Sequence, residues 1–287
     1  MDTIIQILAR ELGRSEAHVE NVVRLIDEGN TIPFIARYRK ELHGAMDDTA
    51  LRTLADRLQY LRNLDKRREE VKSAIEGQGK LTEELSAAID AAATLAEVED
   101  LYRPYRQKRR TRATVAREKG LEPLAELLFA QAADGPAPEE AAGAFVDPEK
   151  GVETAEDALQ GASDIIAERI SDDADIRKRL RELVWKKGYL VSAAAAKEPE
   201  DTVYRLYYAF RSPLNRVQGH QVLAINRGER EGVLKVSVEM EREAALIPVR
   251  RAVLNPGAPA MAFVRAAAED AYDRLIFPSV EDARPAH

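Results

Sequence analysis

Apolar residues recur every three to four positions through most of the chain, the spacing of amphipathic helices. The first predicted helix has four apolar residues on one face, Ile4, Ile5, Leu8 and Leu12. It stops at Gly13, and a second helix is predicted between an N-cap at Ser15 and a stop at Gly29. Two short helices joined by a tight turn fit a helix-turn-helix, and an ordinary helical hairpin fits the spacing equally well.

The longest helical pattern begins at Asp47 or Asp48 and runs to about Glu76. Its apolar side consists of Leu51, Leu54, Leu58, Leu61, Leu64, Val71 and Ile75. The near-heptad spacing breaks around Arg67 and Arg68, so it predicts an extended packing helix and not a full coiled coil.

Helical patterns continue beyond residue 120, interrupted at 134–151 by a stretch of proline and small residues that is typical of a linker. Two helices should follow, the second capped by Ser171 and ended by Gly188. Residues 201–210 are also expected to be helical, with their aromatic residues in the core. Residues 232–240 alternate apolar and polar side chains and predict a strand. A last helix should end at Pro278.

These segments predict a mainly α protein. We expect an elongated helical domain with a helix-turn-helix-like N-terminal part and a minor β element in the C-terminal third. The predicted regions are 1–45, helical and helix-turn-helix-like; 46–135, the long helix and a basic segment; 149–200, helical; and 201–287, mixed helix with a short strand.

The composition narrows the class of protein. Charged residues make up 32% of the 287 residues and aromatic ones only 6%, a balance that favours helices. The absence of cysteine excludes disulfides and cysteine-ligated zinc. The N-terminus lacks the pattern of a signal peptide, and no apolar stretch approaches the roughly 20 residues that span a bilayer. We therefore expect a cytoplasmic protein with no membrane partner.

Positive charge is concentrated in one short run of a chain whose formal net charge is −7. Against a single acid, Glu118, the run contains Arg103, Arg106, Lys108, Arg109, Arg110, Arg112, Arg117 and Lys119. A smaller basic patch follows the first two helices and contains Arg37, Arg39 and Lys40. Such contrast indicates either a polyanion partner or an internal acidic partner, and the sequence leaves both open.

These basic residues are the candidate nucleic-acid-binding residues. The guanidinium group binds phosphate through two hydrogen bonds, and the neighbouring Tyr102 and Tyr105 offer faces for unpaired bases. We favour a phosphate-contacting surface for the run 103–119. Patterns for catalysis or metal binding are missing, since the sequence has no HExxH, no GxSxG and no histidine pair at ligand spacing. We expect no catalytic residue, no metal site and no cofactor.

Several longer stretches resemble the family of the bacterial transcription accessory protein Tex. They are TIPFIARYRKE (31–41), VEDLYRPYRQKRRTRATVAREKGLEPLA (98–125), ALQGASDIIAE (158–168), VLAINRGEREGVL (222–234) and DAYDRLIFPSVE (270–281). The resemblance covers nearly the whole chain, and its motifs occur in the family's order.

The resemblance implies a nucleic-acid-binding factor linked to transcription. Tex-like proteins carry a helical N-terminal part with a helix-turn-helix element. An RNase-H-like fold, helix-hairpin-helix units and an OB-fold follow it. This chain therefore resembles the N-terminal portion, and 201–287 would lead towards an RNase-H-like domain that the chain lacks. We expect a non-catalytic scaffold that binds RNA, with DNA as the alternative nucleic acid. The alternative function is a protein-interaction scaffold that docks RNA polymerase or the ribosome and contacts nucleic acid only weakly.

Overall fold

The computed structural model describes residues 2–282, which divide into two compact units between Tyr102 and Arg103. The division falls inside the region 46–135 predicted from the sequence. The long helix therefore belongs to the first unit, and the basic run 103–119 belongs to the second.

The described residues of the first unit contain helices and turns but no strand. The helices are α1 (Ile4–Leu12), α2 (Glu16–Asp27), α3 (Ile32–Tyr38), α4 (Lys40–His43), α5 (Asp48–Gly77), α6 (Glu83–Ala91) and α7 (Leu95–Tyr102). Gly13 ends α1 in the left-handed region, with φ of 61°, and the Ser15 side chain caps α2 by accepting the N–H of His18. The predicted pair of helices is confirmed, and its use as a helix-turn-helix stays a prediction.

Helix α5 is the centre of the first unit, because α1, α2, α3, α6 and α7 all contact it. Each of its seven predicted apolar residues is buried, with at most 4% of its surface exposed. The near-heptad pattern is therefore confirmed as a packing face. Full burial of a leucine side chain contributes about 1.5–3 kcal/mol, so this face supplies much of the stability of the unit.

The second unit contains nine described α-helices and a small sheet. The helices are α8 (Arg112–Glu118), α9 (Glu122–Ala130), α10 (Pro138–Gly143), α11 (Ala155–Ser171), α12 (Ala174–Lys187), α13 (Gly219–Arg230), α14 (Arg242–Val253), α15 (Met261–Asp270) and α16 (Phe277–Asp282). Helix α11 lies at the centre and contacts α8, α9, α10 and α15. Gly161 allows this close approach, because a Cβ there would collide with the Leu121 side chain and lie 3.2 Å from Cβ of Ala116.

The sheet consists of β1 (Tyr189–Ala194), β2 (Ala209–Pro213) and β3 (Leu234–Glu239) in the order β2-β1-β3. Both pairings are antiparallel, and Tyr189 lies opposite Pro213 on one side and Glu239 on the other. One face packs with α13 around a small core that includes Leu190, Ile225 and Val238. The minor β element is confirmed, although the pattern predicted only β3.

The predicted helix at 201–210 is wrong. This stretch forms a 3₁₀ turn at Arg205–Tyr207 and then enters β2. Three of its four aromatic residues pack as predicted: Tyr204 is buried, and Tyr207 and Phe210 are partly buried against the small core of the sheet, with their ring centroids 5.5 Å apart. Tertiary packing of aromatic side chains against the sheet overrides their helical spacing.

Three further details of the second unit differ from the prediction. The stretch 134–151 is not a linker, since it contains α10 and buries Ala142 in the core. Asp173 and not Ser171 caps α12, because its carboxylate accepts the N–H of Ile176 at 2.9 Å. The last helix does not end at Pro278. A π-helical segment leads directly into α16, and α16 contains this proline. In the described part of the chain, no helix is long and apolar enough to cross a membrane.

Candidate nucleic-acid interface

The smaller predicted patch lies on α3 and the start of α4. The Thr31 side chain caps α3 by accepting the N–H of Phe34, and Pro33 occupies the first turn, where no intrahelical N–H donor is needed. Ile35 is fully buried and fixes which side of α3 faces the core. The opposite side carries Phe34, Arg37 and Tyr38.

We call Phe34, Arg37, Tyr38, Arg39 and Lys40 the α3 patch. Phe34 is 38% exposed and Tyr38 is 59% exposed, and their ring centroids lie 5.2 Å apart at a tilt of 44°. The Arg37 guanidinium lies 5.9 Å from the centre of the Tyr38 ring. Aromatic and cation–π contacts at these distances hold side chains in place, so the two rings form an ordered, exposed surface.

The three cations of the α3 patch, Arg37, Arg39 and Lys40, are exposed and form no ion pair with any described residue. Glu41 follows them in sequence and forms no ion pair with them within the described residues either. The patch therefore presents positive charge beside aromatic rings, the combination that binds single-stranded nucleic acid.

A buried histidine holds the turn that follows the patch. His43 is fully buried at the end of α4, and its Nδ1 accepts the backbone N–H of Met46 at 2.9 Å. Gly44, next to it, has φ of 62°, and the ring of His18 occupies the space that a Cβ would need. The turn between α4 and α5 is thus fixed by packing.

The predicted basic run 103–119 begins with a 3₁₀ turn at Arg103–Tyr105 and ends at Lys119, just after α8. Thr111 caps α8, since its hydroxyl accepts the N–H of Thr114 at 3.1 Å. The run thus consists of a turn followed by a short helix.

Three of the cations in this run pair with carboxylates on and just after α11. Arg103 Nε lies 3.1 Å from Asp172 Oδ1, and Arg117 Nη1 lies 2.9 Å from Glu168 Oε1. Lys108 Nζ pairs with Asp172 and lies 3.5 Å from Glu168. For these three cations the acidic partner is internal.

The pKa values of the α11 carboxylates reflect this pairing. Burial raises the pKa of Glu168, but the hydrogen bonds from Arg117 and Thr111 and the charge of Lys108 outweigh it, so the net pKa is lowered. One turn earlier, burial raises the pKa of Asp164. Ionised Glu168 is thus held mainly by the basic run.

The carboxylates on and just after α11 were not predicted from the sequence, although their spacing could have revealed them. Asp164, Glu168 and Asp172 recur every four positions, so they lie along one side of the mostly apolar α11 and just beyond its end. A row of carboxylates on an apolar central helix needs cations from another element, and in the fold the basic run supplies them.

Four other cations of the run, Arg109, Arg110, Arg112 and Lys119, are less strongly held. Arg110 pairs with Glu118 at 2.7 Å, and both side chains are exposed. The charge of Arg112 acts on Asp164. Arg109 and Lys119 form no ion pair within residues 2–282.

A cleft of about 420 Å³ beside the run mixes both signs of charge. Arg106, Lys108, Arg117 and Arg169 line it together with Glu168, Asp172 and Asp173. Mixed charge weakens the attraction for a polyanion, so the α3 patch is the more strongly cationic candidate surface. The described residues contain no group of acidic, histidine or cysteine side chains able to hold a metal ion.

Comparison with known proteins decides the family. Residues 2–76 match the Tex-like protein N-terminal domain, and residues 134–282 match the Tex central region-like domain. The chain belongs to the Tex family. This confirms the resemblance found in the sequence.

Named relatives extend this finding. The chain is 44% identical over 96% of its length to the uncharacterised protein YdcI of Bacillus subtilis, and 46% identical over 84% to the protein tex of Bordetella pertussis. It is also 30% identical over 96% of its length to the human S1 RNA-binding domain-containing protein 1. It covers 39%, 30% and 29% of those three proteins, so it spans about a third of their length.

Proposed function

We propose that the chain is a nucleic-acid-binding portion of a transcription accessory protein that binds single-stranded RNA at the α3 patch. It acts in the cytoplasm as a scaffold and catalyses no reaction. The observation that carries the proposal is the exposed pair of Phe34 and Tyr38 beside three cations that have no ion pair among the described residues.

The chemistry of the α3 patch favours an unpaired strand. Stacking of a base on an aromatic side chain is worth about 1–3 kcal/mol, and it requires a base face that a duplex does not expose. Arg37, Arg39 and Lys40 would contact the phosphates on either side of the stacked bases. The names of two relatives support this role, since one is a transcriptional accessory protein of Neisseria gonorrhoeae and the other is a human S1 RNA-binding domain-containing protein.

The basic run supplies a second, weaker contact in this proposal. Four cations of the run remain for this contact. Arg109 and Lys119 have no carboxylate partner in the described structure, and Arg110 and Arg112 are exposed. The ion pairs with Glu168 and Asp172 leave fewer charges for phosphate than a count along the sequence suggests.

The proposal is tested by titrating a fluorescein-labelled single-stranded RNA with the chain over a series of salt concentrations. Arg37→Glu removes a phosphate contact, and we expect it to flatten the dependence of log K on log salt by about 0.7. Lys80→Glu is the matched control, since Lys80 is exposed, lies after α5 and has no ion pair in the described residues. Equal salt slopes for the two variants would refute the assignment of the α3 patch.

A further inference from the structure

A groove of about 440 Å³ lies between α12 and α14 in the second unit. The two helices pack directly against each other, and residues of both line the groove. Its floor is aliphatic and is formed by Leu183, Ala244, Ile247 and Pro248. Ile247 is 47% exposed, although it is a large apolar side chain. The groove therefore exposes apolar surface that no described residue covers.

Four cations surround this floor. They are Arg179, Lys186, Lys187 and Arg251, all exposed and all without an ion pair among the described residues. Glu182 is the one carboxylate in the lining.

Other arginines on α14 are differently placed. Arg242 pairs with Asp273 at 2.8 Å, and Arg250 pairs with Glu243 at 2.9 Å and also with Glu269. The cations that line the groove differ from these two arginines, because none of the four has an ion pair among the described residues. Their charge is available to a partner.

A proline interrupts the backbone hydrogen bonding of α14 beside the groove. Pro248 lies inside the helix and has no N–H to donate to the carbonyl of Ala244, four residues earlier. Both residues line the groove.

We propose that the α12–α14 groove docks an acidic amphipathic segment of a partner protein. One or two aliphatic side chains of the segment would cover Leu183 and Ile247, and its carboxylates would pair with the four surrounding cations. This is the helix-in-groove mode of peptide recognition. A nucleic acid fits less well, because the lining contains no aromatic ring on which a base can stack.

Synthetic peptides test this proposal without RNA. The probe is a fluorescein-labelled peptide with two leucines one helical turn apart among glutamates, and the matched peptide replaces both leucines by serine. We expect the leucine peptide to bind the full chain about tenfold more tightly than the serine peptide, since one buried aliphatic side chain accounts for that factor. Ile247→Ser should remove this preference, and Lys187→Glu should weaken both peptides.

The control variant is Leu223→Ser. Leu223 is 53% exposed on α13 and does not line the groove, so its replacement should leave the peptide preference unchanged. Equal binding of the two peptides to the unaltered chain, or an Ile247→Ser variant that keeps the preference, would overturn the proposal. Loss of single-stranded RNA affinity in Ile247→Ser would also overturn it and would assign the groove to nucleic acid.

Discussion

Replacing Glu168 by glutamine measures how firmly the basic run is held by internal ion pairs. The side chain of Glu168 is only 12% exposed, and its carboxylate accepts hydrogen bonds from Arg117 Nη1 and Thr111 Oγ1, each at 2.9 Å. Hydrogen bonds to a charged group contribute about 1.5–3 kcal/mol, against about 0.5–1.5 kcal/mol for neutral ones. Arg117 is partly exposed and keeps Glu122 at 3.5 Å, which offsets part of the loss.

We therefore expect Glu168→Gln to lower the free energy of unfolding by about 2 kcal/mol. For a unit of this size that corresponds to a fall of about 4–8 °C in Tm, which calorimetry resolves. Glu118→Gln is the matched control. It breaks an ion pair with Arg110 in which both side chains are more than half exposed, so we expect a change below about 1 kcal/mol.

The effect of Glu168→Gln should depend on pH. The pKa of Glu168 is lower in the folded chain than its ordinary value of 4.5, so ionised Glu168 stabilises the fold fully above that value. The stabilisation is lost as the pH falls through the lowered, folded pKa. The difference between the unaltered chain and Glu168→Gln should therefore be largest near neutral pH and shrink in acid. Equal Tm changes for Glu168→Gln and Glu118→Gln, or a difference independent of pH, would refute the reasoning.

Three further predictions concern packing and buried hydrogen bonds. Leu58→Asp should destabilise the first unit by more than about 3 kcal/mol in urea unfolding, because it places a carboxylate in the buried face of α5; an unchanged unfolding midpoint would mean that this face is not buried. Gly161→Ala should lower the Tm of the second unit by overpacking, at a cost of about 1–3 kcal/mol, whereas Gly143→Ala, whose Cβ would contact nothing within 4 Å, should be nearly neutral. Gln131→Ala should cost about 2 kcal/mol in chemical denaturation, since Gln131 is buried and donates to the carbonyl of Val253 at 2.8 Å; full retention of stability would contradict this.

Features that depend on local periodicity could be predicted from the sequence. The apolar face of α5 and the cap at Ser15 follow from the residues themselves, because helical spacing and capping act over one or two turns. The segment 189–194 shows the limit of this approach. Its alanines favour a helix, yet it forms the central strand β1, since pairing with strands on both sides decides its conformation.

Charge partners could not be predicted in the same way. Arg103 and Asp172 are 69 positions apart, and Arg117 and Glu168 are 51 apart, so a search of neighbouring sequence does not find the pairs. The chain fold brings α8 against α11, and that packing decides which cations of the run are neutralised. The acidic residues close to a basic run in sequence therefore do not show whether its cations are paired in the fold.

The candidate site was found only in part. The cations of the α3 patch were predicted, since they stand out by their charge, but the exposed rings of Phe34 and Tyr38 were not. Aromatic residues in a short helix usually face a core. Helix α3 instead buries Ile35 and leaves both rings exposed.

The most direct test of RNA binding at the α3 patch is the affinity of the chain for a single-stranded RNA when Tyr38 is replaced by alanine or by phenylalanine. Tyr38→Phe keeps the ring, so we expect it to bind as the unaltered chain does. Tyr38→Ala should weaken binding about tenfold, within the range for one lost stacking contact. If the two variants bind the RNA equally well, or if the unaltered chain does not bind it, the account is contradicted.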